Sequence, residues 1–329
     1  MFTSANAELI VLASPPTHVD SYYNEVADDI VDFHIEYANA IEKHGDDVLI
    51  LSNEDYYSYY LLKLGAENVL LAPMLDIWMR DFTFMNMVKP VMFRYSAAGQ
   101  GNSQNDADVV QEAFAALVEE SNLIFSETDL INDGGNYVDD YAGNVVLSKK
   151  FLRDNNLTEE VARKKITALT NVKNISFIEA DEQGGLEHAD GVVSFVDTNT
   201  LIINSYPEDK VYSQKLKADL KAGLPDVKIH EIITPYDGSN IYDKRFGSAC
   251  GLYTNTLVTP ERIYFPQFGI PEDKIALDKI RAITSREVIP VMSNQVCHMG
   301  GGVRCMSLQL RGDAAEKLRR YVKDTHNDE

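Results

Sequence analysis

Four short segments of this 329-residue chain place polar and ionisable side chains where a strand-rich core should hold apolar ones. They are Asp76-Ile77-Trp78-Met79-Arg80-Asp81-Phe82, Asn132-Asp133-Gly134-Gly135-Asn136-Tyr137, Glu187-His188-Ala189-Asp190-Gly191 and Gly300-Gly301-Gly302-Val303-Arg304-Cys305. Each has a bland reading when taken alone. Trp78 with Arg80 and Asp81 reads equally well as a local ion pair beside a core tryptophan. Gly134-Gly135 reads as a plain turn. His188 and Asp190 are two residues apart ahead of the apolar VVSFVD, so on a strand they would point to one side. Two ionisable groups on one face of an apolar strand must be satisfied or used, and as metal ligands they are a weak signal. Cys305 follows a triple glycine, which allows a sharp turn or a close backbone approach. Cys250 and Cys297 read as inert buried thiols, and Cys297-His298 on a strand would face opposite ways.

Considered jointly, the segments carry a specific chemistry. A thiol, an imidazole and several carboxylates are what attack on a positively charged carbon requires. A guanidinium is planar, delocalised and always protonated, so its carbon is a poor electrophile. Carboxylates on both edges can clamp it through paired hydrogen bonds. A thiolate then approaches perpendicular to the plane. Histidine protonates the departing ammonia and later deprotonates the water that hydrolyses the thiouronium intermediate. In this scheme Cys305 is the nucleophile, His188 the acid and base, and Asp81 and Asp190 the clamp, with Asp133 a weaker third carboxylate.

Groups so far apart in the chain need a scaffold that gathers them. ELIVLAS (8–14) and DVLILS (47–52) read as buried strands. Between them Val26, Ile30, Phe33, Tyr37 and Ile41 mark one face of a helix that should stop at Gly45. NVLLAP and VKPVMFRY precede a helix over about 105–120, and residues 136–148 read as a hairpin before a helix from 158 to 169. ISFIEA, GVVSFVD and TLIINSY lead to a helix over 209–222. A hairpin turning at Pro260-Glu261 leads to a helix after Pro271, and REVIPVM and CMSLQL precede a last helix near 313–324. A strand–strand–helix unit thus recurs about five times, which suggests a ring of modules; a doubly wound sheet is the competing architecture. With no linker or low-complexity tract, residues 1–329 read as one domain.

Hydrophobic residues make up 45% of the chain and charged residues 25%, a globular composition. No apolar run approaches the roughly eighteen residues of a membrane span. The N-terminus lacks a basic region and a long apolar core, so a cytoplasmic protein is expected. The net charge of −21 repels nucleic acid and anionic lipid and suits a cationic substrate, although solubility alone accounts for most of it. Three cysteines make no even framework, so disulfides and structural zinc are not expected.

The ordered set of motifs resembles the family of agmatine deiminases and bacterial, Porphyromonas-type peptidyl-arginine deiminases, within the guanidino-group-modifying superfamily. The resemblance runs from Trp78 to Leu310. IWMRD is similar to the family's Trp-x-Arg-Asp, whose aspartate contacts the guanidinium. DGGNY is similar to its Gly-Gly-Asn stretch, with Asp133 where agmatine deiminases tend to carry glutamate; Asn136 belongs to the same stretch. HADG resembles His-x-Asp, the catalytic histidine and second guanidinium-binding carboxylate. Tyr253-Thr254-Asn255-Thr256 resembles a segment whose asparagine lines the site, and the run through Gly302 resembles the glycine-rich approach to the nucleophile. The resemblance implies a five-bladed α/β propeller, catalysis by Cys305, His188, Asp81 and Asp190, and substrate contacts from Trp78, Arg80, Asp133, Asn136, Asn255 and Gly302. It implies no metal and no organic cofactor. The chain departs from the pattern at Arg304, where relatives often have histidine or leucine, and at Phe82-Thr83-Phe84 in place of a Gly-Pro turn. It also has no arginine in 95–103, where the bacterial peptidyl-arginine enzyme grips a C-terminal carboxylate.

The expected activity is hydrolysis of a guanidinium to a ureido product and ammonia, on a small cationic guanidine such as agmatine. Arginine in peptides is the alternative substrate. Amidino transfer on the same fold, or a non-catalytic binding protein such as the ribosome anti-association factors, are the competing functions; the latter lack the reactive cysteine and histidine. The sequence leaves homo-oligomerisation open.

Overall fold

The computed structural model describes residues 8–18, 21–181 and 185–328, so the leader reading drawn from the N-terminus falls largely outside them. Among the described residues the strands form five small separate sheets, which excludes one continuous doubly wound sheet. Strands Leu9–Ala13, Asn144–Ser148 and Thr200–Asn204 lie mid-sheet and are buried along their whole length, as strands covered on both faces must be.

Every sheet follows one rule. A short first strand pairs antiparallel with a middle strand, and a helical crossover returns the chain to a third strand parallel to the middle one. One blade is Phe84–Met85, Val91–Arg94 and Ser126–Ile131, crossed by helix Gln104–Glu120. The next is Val138–Asp139, Asn144–Ser148 and Asn174–Ile178, crossed by Lys150–Asp154 and Glu159–Thr170. Then come Val193–Asp197, Thr200–Asn204 and Lys228–Ile232, with helix Lys210–Gly223. Leu257–Val258, Arg262–Gln267 and Glu287–Met292 follow, with helix Glu272–Ile283. The remaining blade joins both ends of the chain. Its first strand is Leu308–Leu310, antiparallel to Leu9–Ala13, which runs parallel to Asp47–Ser52 across helix Ala27–His44, and Val69–Leu71 extends this blade as a fourth, parallel strand. The result is the expected five-bladed α/β propeller.

The helices form for local reasons. Ala27–His44 turns Ile30, Phe33, Tyr37 and Ile41 inward and ends at Gly45, whose φ of 91° suits glycine and whose N–H caps the carbonyls of Ile41 and Glu42. The last helix, Gly312–Asp328, packs Leu318 and Val322 into the core. Apolar side chains gather in separate clusters between sheets and helices. The ring's middle is left to buried polar groups, among them Arg80, Asp81, Asp133, His188, Asp190 and Arg304, and these need partners.

Three elements have no counterpart in the sequence reading. The third strands Ser126–Ile131 and Lys228–Ile232 are only partly buried, so their SETDLI and KIHEI runs lack an apolar signature. Helix Glu54–Leu64 buries little beyond Tyr60 and Leu64, and Asn53 caps it by accepting from the Tyr56 N–H at 3.1 Å.

Candidate active site

Each polar stretch stands immediately before the first strand of a different blade. The helical turn Met79–Phe82 precedes Phe84–Met85, and Gly134–Asn136 precedes Val138–Asp139. The turn Ala189–Gly191, entered from His188, precedes Val193–Asp197. Residues 253–256 precede Leu257–Val258, and residues 300–305 precede Leu308–Leu310. Equivalent positions in a ring converge, so segments dozens of residues apart in the chain meet. His188 and Asp190 therefore lie in a turn, not on one face of a strand as the spacing suggests; the strand begins only at Val193.

Cys305 is the free thiol among the described residues and is 7% exposed. Asn255 Nδ2 donates to its Sγ at 2.9 Å, and Asp190 Oδ2 lies 3.9 Å from the same sulfur. Burial drives the Cys305 thiol well above its ordinary range, and the charges of Asp190 and Asp81 add to this; the Asn255 hydrogen bond and the Arg304 charge oppose it. Gly301 permits this arrangement, because a side chain there would run into the Trp78 ring and Cys305 Cβ.

His188 is held between carboxylates. Its Nε2 is 3.0 Å from Asp133 Oδ2 and its Nδ1 is 3.8 Å from Asp81 Oδ1. Burial alone would lower its pKa. Asp81, Asp133 and Asp190 outweigh burial and raise it to about 10, so the ring is an imidazolium at neutral pH. Burial raises the Asp81 carboxyl to about 7; the His188 charge counters this, Asp133 and Asp190 add to it, and the Gly135 N–H, donating to Oδ1 at 3.0 Å, counters it. A methyl group at Gly135 would collide with His188 Nδ1.

The cavity in front of these groups has a volume of about 920 Å³, and Trp78, Asp81, His188, Asp190, Asn255 and Cys305 line it. Four other residues expected to meet substrate serve elsewhere. Asp133 sits behind His188, its carboxylate accepting from the Ser96 N–H at 2.9 Å and Oγ at 2.8 Å as well as pairing with the ring. Asn136 ties down the blade behind the site, its Oδ1 accepting from the Ser148 N–H at 2.6 Å. Arg80 turns away to donate through Nη2 to Gln309 Oε1 at 3.2 Å, while its backbone N–H donates to the Cys305 carbonyl at 3.0 Å. Gly302 accepts the Met306 N–H at 3.0 Å through its carbonyl and shapes the turn from behind the wall.

Sequence reasoning missed much of the wall. Tyr22, Tyr23, Tyr206, Tyr236 and Phe246 contribute aromatic surface from loops with no motif. Asp76 lay within a quoted segment, but its role emerges only in three dimensions: it accepts from Tyr23 Oη at 2.6 Å and Gln100 Nε2 at 2.7 Å, bracing two walls beside Trp78.

Cys250 and Cys297 form a disulfide, with Cα atoms 4.8 Å apart, which corrects the expectation of two inert thiols. The odd cysteine count is one bonded pair plus one free thiol, and a pairing 47 residues apart cannot be read from spacing. Cys297 lies in the turn Cys297–Met299, so the strand argument for Cys297-His298 does not apply. The disulfide joins the loop carrying Phe246 and Leu252 to the turn that leads into the nucleophile loop.

Known proteins share this architecture. An agmatine deiminase structure from C. jejuni superposes with a TM-score of 0.76 at 18% identity, covering 94% of each chain. The agmatine deiminase structure from Enterococcus faecalis gives 0.72 at 18% identity, again over 94% of each chain. In sequence, a candidate agmatine deiminase of Shewanella sp. (strain MR-4) is 23% identical over 233 residues, 62% of this chain and 62% of that protein. The chain thus spans about three-fifths of the length of such curated relatives. The family model of Porphyromonas-type peptidyl-arginine deiminases matches residues 4–310, and the chain belongs to that family.

Proposed function

We propose that this protein hydrolyses a guanidinium to a ureido group and ammonia through a covalent intermediate on Cys305. The observation that carries the reading is a buried thiol 3.9 Å from Asp190, on a cavity wall shared with Asp81 and His188. Burial and two carboxylates keep the thiol protonated. A guanidinium held between Asp81 and Asp190 offsets their charge at the sulfur, so a cationic substrate itself favours the thiolate. A neutral ligand does not.

The thiolate forms a bond to the guanidinium carbon. His188, already an imidazolium, protonates one terminal nitrogen, the C–N bond breaks, and ammonia leaves a thiouronium on Cys305. Neutral His188 then takes a proton from water as its oxygen adds to the carbon. The C–S bond breaks, the thiolate is restored, and the protonated urea so formed gives its proton to the ammonia. The sum is guanidinium plus water giving a urea and ammonium.

The same cavity supports a small substrate with a cationic or neutral tail. Its wall carries Asp76, Asp106 and Asp181. Arg245 is also there, but its Nε and Nη2 both donate to Asp243 Oδ2, at 2.8 and 2.6 Å. That balance favours agmatine over a substrate carrying a free carboxylate. The volume of about 920 Å³ gives some support to arginine within a peptide as the second reading. Ammonia release across agmatine, free arginine, blocked arginine, arginine peptides and methylated arginines separates these. No release from any of them would end the proposal, and transfer to an added amine without ammonia would replace hydrolysis with amidino transfer.

A further inference from the structure

Asp190 has a second partner that the reaction above does not use. Arg304, one residue before the nucleophile, donates through Nη1 to Asp190 Oδ2 at 2.6 Å. The same guanidinium is anchored by the Tyr137 carbonyl at 2.8 Å and the Gly134 carbonyl at 3.4 Å. The Arg304 and Asp190 side chains are 8% and 2% exposed. Asp190 lines the cavity and Arg304 does not, yet Arg304 bonds the Asp190 oxygen that lies 3.9 Å from Cys305 Sγ.

We propose that Arg304 is a positioning residue for the reaction at Cys305: its guanidinium fixes Asp190 Oδ2, the oxygen that lies 3.9 Å from Cys305 Sγ, and puts a fixed positive charge beside the sulfur. This rests on the deimination reading for its catalytic consequence, but not for its effect on the thiol. A buried carboxylate with both oxygens free could rotate about its last bond. One held by a charge-assisted bond to an anchored fork presents a single oriented acceptor. A guanidinium already bound at Oδ2 also limits how much of the Asp190 charge a substrate meets. Arg304 thereby restrains ground-state binding without weakening the clamp's geometry. Around the sulfur the charged groups are Asp190, Asp81 and Arg304, with His188 beyond Asp81 and the Asn255 amide in direct contact. Arg304 is the cation fixed behind the thiol in the absence of substrate.

The test uses the full-length protein and two variants, Arg304→Gln and Arg304→Lys. Iodoacetamide alkylation of Cys305 at pH 9, followed by mass spectrometry, reads the thiol without any substrate. Arg304→Gln should react about tenfold more slowly than wild type, the effect of about one pKa unit. Its kcat for ammonia release should fall at least about tenfold with KM unchanged or lower, as for loss of an oriented group. Arg304→Lys keeps the charge but cannot hold Asp190, Gly134 and Tyr137 together. It should be alkylated at nearly the wild-type rate while kcat still drops severalfold. A folded Arg304→Gln protein with wild-type alkylation and kinetics would overturn the proposal. Where Arg304→Gln does not fold, a wild-type kcat in Arg304→Lys does the same. If the wild-type enzyme releases no ammonia from any guanidine, the deimination reading fails, and the alkylation comparison still decides the effect of Arg304 on the sulfur.

Discussion

Asn255 grips the nucleophile loop at two points: its Nδ2 donates to Cys305 Sγ at 2.9 Å, and its Oδ1 accepts the Arg304 N–H at 3.3 Å. The amide therefore sets both where the sulfur sits and what it can hydrogen-bond to. Hydrogen bonds to charged groups contribute about 1.5–3 kcal/mol. Asn255→Ala should accordingly lower kcat by roughly ten- to a hundredfold. Asn255→Asp is isosteric but exchanges a donor for an anion beside a thiolate, so it should fall further. Steady-state ammonia release by both variants checks the order.

Cys305→Ala should abolish ammonia release, and His188→Ala should arrest turnover after attack. Intact-mass measurement of the histidine variant with substrate should then show an adduct on the peptide containing Cys305. A variant that binds substrate without forming the adduct would mean that histidine acts before or during attack.

Stability should depend on His188 with a definite sign. Its pKa rises from an ordinary 6.5 to about 10, as the Asp81, Asp133 and Asp190 charges overcome burial. A group raised on folding stabilises fully below its unfolded value, and the contribution disappears as pH climbs through the folded one. The difference in thermal midpoint between wild type and His188→Gln should be largest below pH 6.5 and shrink towards pH 10. A constant difference across that window would show that the imidazolium is not held by these carboxylates.

Gly135→Ala is a minimal change that should displace His188, because the added methyl meets its Nδ1. Overpacking of this kind costs about 1–3 kcal/mol. The variant should remain folded by circular dichroism but lose at least about tenfold in kcat, since reacting groups displaced by an ångström can cost a hundredfold.

The chain was legible wherever function and local pattern coincide. Buried middle strands announce themselves by unbroken apolar runs, and the helix ending at Gly45 by its spacing. The membership of the candidate site was legible through residue type: Cys305, His188, Asp81 and Asp190 line one cavity. Direction was not. Asp133, Asn136 and Arg80 belong to the same motifs, yet their side chains point behind the site, because a turn rather than a strand decides where each one faces. The aromatic wall was illegible because it comes from loops joined only by tertiary contact.

The disulfide is checked directly. Thiol titration of the denatured, unreduced protein should find one group, Cys305, with Cys250 and Cys297 appearing only after reduction. Cys297→Ala should keep most of its kcat, since neither sulfur reaches the reacting atoms. Its thermal midpoint should fall, because a bridge closing a loop of this length contributes about 2–4 kcal/mol.

Pairing of Leu308–Leu310 with Leu9–Ala13 has a consequence for biosynthesis. The strand that seals the ring begins three residues after the reactive sulfur, at Leu308. A nascent chain that stops before Cys305 has neither the strand that closes the ring nor the free thiol. Ring closure and the arrival of the Cys305 thiol therefore come within a few residues of each other in synthesis.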